Sequence, residues 1–293
     1  VVPGQEAQKT DALLKEMALH TICESGRCPN RDECYSQKTA TFMILGDTCT
    51  RSCGFCSVST GRPEVVDVEE PVRVAQAAKA LGLSHVVVTS VNRDDLPDEG
   101  AGHFIRVIEE LKKISSEITI EILTPDFKRT QSSAVERILS AGPDIFNHNI
   151  ETVPSLYKRV RPQADYTTSL RIFTEIKKRS KVVFTKSGLM LGLGETRDEV
   201  LEALEDLRSA GCDILTLGQY LQSSALGMPV KEYVHPDIFL EYKESAVKMG
   251  FEWVESAPFV RSSFHAKESL KALKASLDQR KKFVTTQAQP EGN

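Results

Sequence analysis

The sequence has no run of 18 or more apolar residues, so no membrane-spanning helix is expected. It has no excess of positive charge either: 37 Lys and Arg stand against 41 Asp and Glu, a formal net charge of −4. Without a global basic field, neither a nucleic-acid partner nor an anionic membrane surface is expected. Residues 1–8 lack the charged-then-apolar pattern of a secretion signal. No Met opens the chain, so the expectation is a native N-terminus that is missing or processed, as by removal of a transit peptide. The expected home is the cytoplasm, or an organelle if such a peptide was removed. No fixed-period repeat and no low-complexity segment interrupts the text.

What is present is 293 residues, 40% hydrophobic and 27% charged, as in soluble globular proteins. Seven cysteines stand out, because six fall between Cys23 and Cys56 and only Cys212 stands apart. A disulfide scaffold would be smaller and would spread its cysteines along the chain. Clustering in a long, signal-free chain points instead to metal ligands in a reducing compartment. Cys212 reads as a small buried hydrophobe.

A leader over residues 1–38 carries three cysteines. Residues 11–20 suit a short helix, and 23–34 read as a loop broken by Gly26 and Pro29. From residue 39, short apolar runs alternate with stretches of helical period. Strands are expected at 40–45, 85–91, 119–123, 145–150, 182–189 and 214–220, with a seventh possible at 251–260. Helices are expected near 70–81, 101–115, 132–141, 167–179, 197–210 and 237–249. Ser133 with Glu136, and Thr196 with Glu199, have capping-box spacing. Gly82, Gly142, Gly211 and Gly250 each follow a helix, where a left-handed cap favours glycine. Apolar strands with little alternation belong to a buried parallel sheet under helices, so six βα units imply a doubly wound sheet or a barrel.

The strongest local pattern is Cys49-Thr-Arg-Ser-Cys53-Gly-Phe-Cys56, a Cys-x3-Cys-x2-Cys triplet after the first expected strand. Loops at strand C-terminal ends carry the chemistry of parallel α/β folds. Three thiolates on a tight loop can hold three irons of a cubane cluster and leave the fourth iron open. The zinc alternative needs a fourth ligand, usually from a second paired set, and none stands at that spacing. A plant-type ferredoxin site is one residue longer in its first gap. A second triplet, Cys23-x4-Cys28-x5-Cys34, fits no common zinc pattern, and six cysteines in so short a span are hard to ascribe to packing.

The first triplet resembles the radical S-adenosylmethionine superfamily, with Phe55 as the aromatic that such enzymes place before the last cysteine. The second triplet, together with Arg261-Ser262-Ser263-Phe264, resembles lipoyl synthase, as do the Arg93-Asp-Asp-Leu-Pro97 and Asn149-Ile-Glu-Thr-Val-Pro154 runs. The resemblance covers roughly residues 17–265. It implies two 4Fe–4S clusters and S-adenosylmethionine as cofactors. Cys49, Cys53 and Cys56 would hold the cluster that binds the methionine moiety and forms a 5′-deoxyadenosyl radical. Cys23, Cys28, Cys34 and Ser263 would hold an auxiliary cluster that donates sulfur, with Arg261 nearby to stabilise the serine alkoxide. Phe264 stands where the family has Tyr, which removes any role of a phenol hydroxyl.

Other residues carry weaker signals. Gly188-Leu-Met-Leu-Gly192-Leu-Gly194-Glu195 resembles a superfamily element near the adenine, and glycines there allow close approach of a cofactor. Asp94 or Asp95 is a candidate for the methionine amino group, or else these are helix-capping carboxylates of a turn. Asn149 and Glu151 are candidate cofactor or substrate contacts, and His148 is read as a core histidine rather than a ligand. Lys158 to Pro162 is a basic run, either a solvated helix end or a contact for an acidic carrier or the methionine carboxylate. Lys186, in an apolar strand, is expected to face the barrel interior and pair with anionic cofactor, since an unpaired buried ammonium is costly.

The fold expected is α/β: a partial parallel (βα)6 barrel over 39–250. An N-terminal extension, 1–38, and a C-terminal one, 251–293, should close over its open face. The implied reaction inserts two sulfur atoms at carbons 6 and 8 of a protein-bound octanoyl chain. The implied partners are an octanoylated lipoyl carrier domain (a 2-oxoacid dehydrogenase E2 or the glycine cleavage H protein), an electron donor such as ferredoxin or flavodoxin, and a cluster-assembly protein. A biotin synthase-like enzyme, a methylthiotransferase relative and a non-catalytic zinc or iron–sulfur module are the alternatives.

Overall fold

A computed structural model describes residues 5–36, 40–225, 227–263 and 273. The N-terminal stretch forms α1 (Gln5–Glu16), a short strand β1 (His20–Thr21), and the short helices α2 (Ile22–Ser25) and α3 (Arg31–Ser36). Strand β2 (Thr41–Ile44) leads into two small strands, β3 (Thr48–Cys49) and β4 (Ser59–Thr60), which pair with each other. The βα alternation follows: α4 (Glu70–Leu81), β5 (His85–Ser90), α5 (Ala101–Ile114), β6 (Thr119–Leu123), α6 (Gln131–Ala141) and β7 (Ile145–Asn147). A 3-10 turn leads to α7 (Tyr157–Val160) and α8 (Tyr166–Arg179). Then come β8 (Phe184–Leu191), α9 (Arg197–Ala210), β9 (Ile214–Gln219), α10 (Pro236–Lys248) and β10 (Trp253–Ser256).

The main sheet runs β1-β2-β5-β6-β7-β8-β9-β10, with every pair parallel except β1 with β2. β1 and β10 are its two edges, so the barrel is partial. β10 realises the seventh strand expected at 251–260. Parallel neighbours need crossovers, and the helices supply them while covering the outer face. On α5, Phe104, Val107, Ile108 and Leu111 share one buried face at helical spacing. Each such side chain contributes about 1.5–3 kcal/mol by leaving water.

Three local expectations change. Residues 11–20 are not one helix: α1 ends at Glu16, Ala18 turns with φ 49°, and His20 pairs with Met43 in β1. The segment from Cys23 to Cys34 is not a plain loop, because Cys23 sits on α2 and Cys34 on α3, with Cys28 between. Thr21 caps α2, its hydroxyl accepting from the Glu24 amide at 3.3 Å. The Thr196–Glu199 capping box is present at α9. At α6, however, Thr130 is the cap, and Ser133 lies a turn inside, donating to the Thr130 carbonyl at 3.0 Å. Gly82, Gly142, Gly211 and Gly250 all have positive φ.

Candidate active site

At the C-terminal ends of the strands lies a cavity of about 410 Å³. Cys49, Cys53 and Cys56 line it from the loop after β2. Cys23 lines it from α2, Cys28 from the turn between α2 and α3, and Ser262 and Ser263 from the segment after β10. Cys34 does not line the cavity, but burial, then the neighbouring Cys23 and Cys28, push its thiol up to about 12. The same burial raises the thiols of Cys23 and Cys53. A thiol held protonated this way becomes a ligand only as metal displaces its proton.

The loop of the first triplet is fixed from several sides. The Cys49 sulfur accepts backbone N–H groups from Asn92 at 3.3 Å and Arg51 at 3.4 Å. The Gly54 amide donates to the Val160 carbonyl at 2.8 Å. Arg51 is buried between two carboxylates, 2.7 Å from Asp94 and 2.8 Å from Asp126. Burial acts to raise the Asp94 pKa, but hydrogen bonds from Arg51 and Thr50 outweigh it and hold the carboxyl below its ordinary value. Asp94 is therefore occupied by the loop and does not line the cavity.

The extensions meet over the barrel mouth. The Asn30 side-chain amide donates to the Phe259 carbonyl at 2.8 Å, and Arg27 to the Ser223 carbonyl at 3.0 Å. Asn149 donates to the Ser262 hydroxyl at 2.6 Å, and Thr41 to the Ser263 hydroxyl at 2.8 Å. Arg261 does not reach Ser263 as expected; its guanidinium donates to the Val260 and Pro258 carbonyls. The segment passes close to β9 because Gly218 has no side chain, and a methyl there would meet the Val260 carbonyl oxygen. Phe264 lies outside the described residues.

Phe55, Asn149 and Glu151 line the cavity. Glu151 follows β7 with φ 70°, a left-handed conformation unusual for a side-chain-bearing residue, and burial raises its pKa against the opposing charge of Arg161. Lys186, expected at the cofactor, instead forms a buried ion pair with Glu121 at 2.8 Å, away from the cavity lining. The partner satisfies the cost that prompted the expectation. Gly192 and Gly194 do not line the cavity either; they make a left-handed turn whose amides at Gly192 and Leu193 donate to the Glu195 carboxylate. In that element it is Gly188, Leu189 and Met190 that face the cavity.

Sequence reasoning missed the part played by Arg51 and Asp126, and it understated Arg161 and His148. Arg161 is buried, donating to the Asn149 carbonyl and the Tyr157 hydroxyl, both at 2.9 Å, whereas Lys158 and Arg159 of the same run are exposed at the end of α7, a solvated helix end. His148 bonds the Thr124 carbonyl through Nδ1 at 2.9 Å, and its Nε2 has no partner among the described residues. Burial, then Arg161, lower its pKa to about 4. Cys212 is the expected buried hydrophobe, its S–H directed at the Ile214 carbonyl.

The donors present fit iron–sulfur groups and a polar cofactor. Thiols and a hydroxyl line one cavity beside buried, unpartnered His148 Nε2 and Asn149 Oδ1. Among the described residues no three His, Cys, Asp or Glu converge on a single ion. An iron–sulfur cube does not need such convergence, since each thiolate takes its own iron.

The model of the Radical SAM superfamily matches residues 43–207. The chain is 52% identical over 270 residues to the lipoyl synthase of Caldicellulosiruptor saccharolyticus, covering 92% of this chain and 94% of that protein. It is 49% identical over 267 residues to the lipoyl synthase of Alkaliphilus metalliredigens, covering 91% and 92%. Methylornithine synthase aligns with TM-score 0.54 at 14% identity, over 84% of this chain and 82% of that one. The FeFe-hydrogenase maturase of Carboxydothermus hydrogenoformans aligns with TM-score 0.54 at 12% identity, over 90% and 77%. At such identities the structures speak for the fold alone.

Proposed function

The chain belongs to the lipoyl synthase family, and from that premise we propose how its own residues divide the work. It is a radical S-adenosylmethionine sulfurtransferase that uses 4Fe–4S clusters and forms the lipoyl group on a lipoyl carrier protein. When bound, the clusters and S-adenosylmethionine supply an electron, an organic radical and the two sulfur atoms placed at carbons 6 and 8 of the octanoyl chain.

Cys49, Cys53 and Cys56 hold the cluster that binds S-adenosylmethionine, and the Arg51–Asp94–Asp126 set keeps their loop in place. Cys23, Cys28, Cys34 and Ser263 hold the sulfur-donating cluster. The barrel at 39–250 orients one set, and the extensions 1–38 and 251–293 bring the other to its mouth. Phe55 packs with Met190 against Leu193 and Tyr220, giving the cofactor side an apolar floor. Asn149, Glu151 and Arg161 offer polar groups to S-adenosylmethionine. Met43, Val87 and Leu123 are apolar lining against which an octanoyl chain can lie out of water. The carrier is an E2 or H-protein domain, the reductant a ferredoxin or flavodoxin, and a cluster-assembly protein is the further partner.

The observation that carries this reading is one cavity lined by all of the first triplet, by Cys23 and Cys28 of the second, and by Ser263. The experiment is turnover of an octanoylated carrier domain by the reconstituted protein, read by mass spectrometry. A mass gain of two sulfurs, less two hydrogens once the dithiol is oxidised to the disulfide, supports it. Cleavage of S-adenosylmethionine with no sulfur in the carrier contradicts it.

A further inference from the structure

We propose that Thr41 is a positioning residue for Ser263, so that the serine is set in place by the barrel rather than gathered by the cluster. The inference rests on the reading of Ser263 as a cluster ligand.

Thr41 opens β2 and is 3% exposed. Side chains alternate along a strand, and Thr41 and Met43 both line the cavity. A threonine there has no need of its hydroxyl for packing, since valine has the same shape. The hydroxyl is nevertheless used: it donates to Ser263 Oγ at 2.8 Å. A serine oxygen has two lone pairs, so accepting one hydrogen bond leaves another for a metal.

Three further contacts place the segment. Asn149 holds Ser262, Asn30 holds the Phe259 carbonyl, and Gly218 admits the backbone at Val260. Successive serines are thus tied to two different strand ends, β2 and the end of β7. Thr41 also lines the cavity together with Cys23, so one residue shares that wall with a sulfur donor and the oxygen donor of the same set. Arg261, the obvious charged candidate, is turned to the carbonyls of Pro258 and Val260.

The test compares wild type, T41V, T41S, T41A and S263A, each reconstituted anaerobically as the full chain. Circular dichroism establishes folding. The readouts are the rate of iron loss to a ferrous chelator and the Mössbauer signature of an oxygen-ligated iron. Residues that orient metal ligands typically carry a tenfold or larger effect on metal retention, so one iron per chain should leave T41V, T41A and S263A about tenfold faster than wild type. T41S should keep the wild-type rate and signature. If S263A behaves as wild type, Ser263 is not a ligand and the underlying reading fails. If S263A loses iron quickly while T41V and T41A keep the wild-type rate and signature, Ser263 is a ligand but Thr41 does not position it. Should T41V not fold, T41A decides by the same criteria.

Discussion

Arg51 and Asp126 form a two-pronged, buried ion pair beneath the loop of the first cysteine triplet. Arg51 Nη1 lies 2.9 Å from Asp126 Oδ2, and Nη2 lies 2.8 Å from Oδ1. Asp126 is fully buried, so its charge is tolerated only because the guanidinium is there.

Asp126→Ala should therefore leave a buried guanidinium with Asp94 alone and destabilise the chain by about 3 kcal/mol. Urea unfolding measures this. The loop should also retain less iron on reconstitution, because Arg51 joins Cys49 and Cys53 to the barrel. A variant within about 0.5 kcal/mol of wild type, as for an ordinary surface substitution, would show the pair to be dispensable.

Gly218→Ala should displace the segment that carries the two serines. The added methyl meets a backbone carbonyl at Val260, which cannot rotate away as a side chain would. The expected outcome is loss of sulfur insertion by an order of magnitude or more, with formation of 5′-deoxyadenosine affected far less. Equal loss of both products would mean that the damage spreads beyond the C-terminal segment.

His148 should contribute a pH dependence of known sign. Its pKa is about 4 in the fold against 6.5 when free, so between these values the unfolded chain binds a proton that the folded chain does not. Stability then falls as pH drops from 6.5 towards 4, at up to about 1.4 kcal/mol per pH unit for this one group. His148→Asn, which can still donate to the Thr124 carbonyl, should remove that share. Urea unfolding from pH 7.5 to 5.5 checks it, and identical slopes for the two proteins would contradict it.

Much of the barrel was legible because buried parallel strands are written as short apolar runs. The strand at 119–123 and the helices at 70–81 and 197–210 fall where the pattern puts them. At α6 the sequence favours Ser133, the better capping type, yet Thr130 holds the cap position and makes no side-chain cap bond there. Strand β1 is two residues long and has no period to read. At the site, cysteines announce themselves by rarity and spacing. Arg51, Asp126 and Thr41 do not, since their roles come from partners 43 to 222 residues away in the chain. Lys186 stands out in the sequence as a charge within an apolar strand, but its partner Glu121 lies 65 residues earlier, and sequence does not show that the charge is already met.

The central claim is that the two triplets hold separate clusters on one cavity. Iron and acid-labile sulfide, counted after anaerobic reconstitution, test it most directly, with wild type beside a Cys23→Ala, Cys28→Ala, Cys34→Ala variant. Two four-iron clusters predict about eight irons per chain in wild type and about four in the variant. About four in both proteins, or zinc in place of iron, would contradict it.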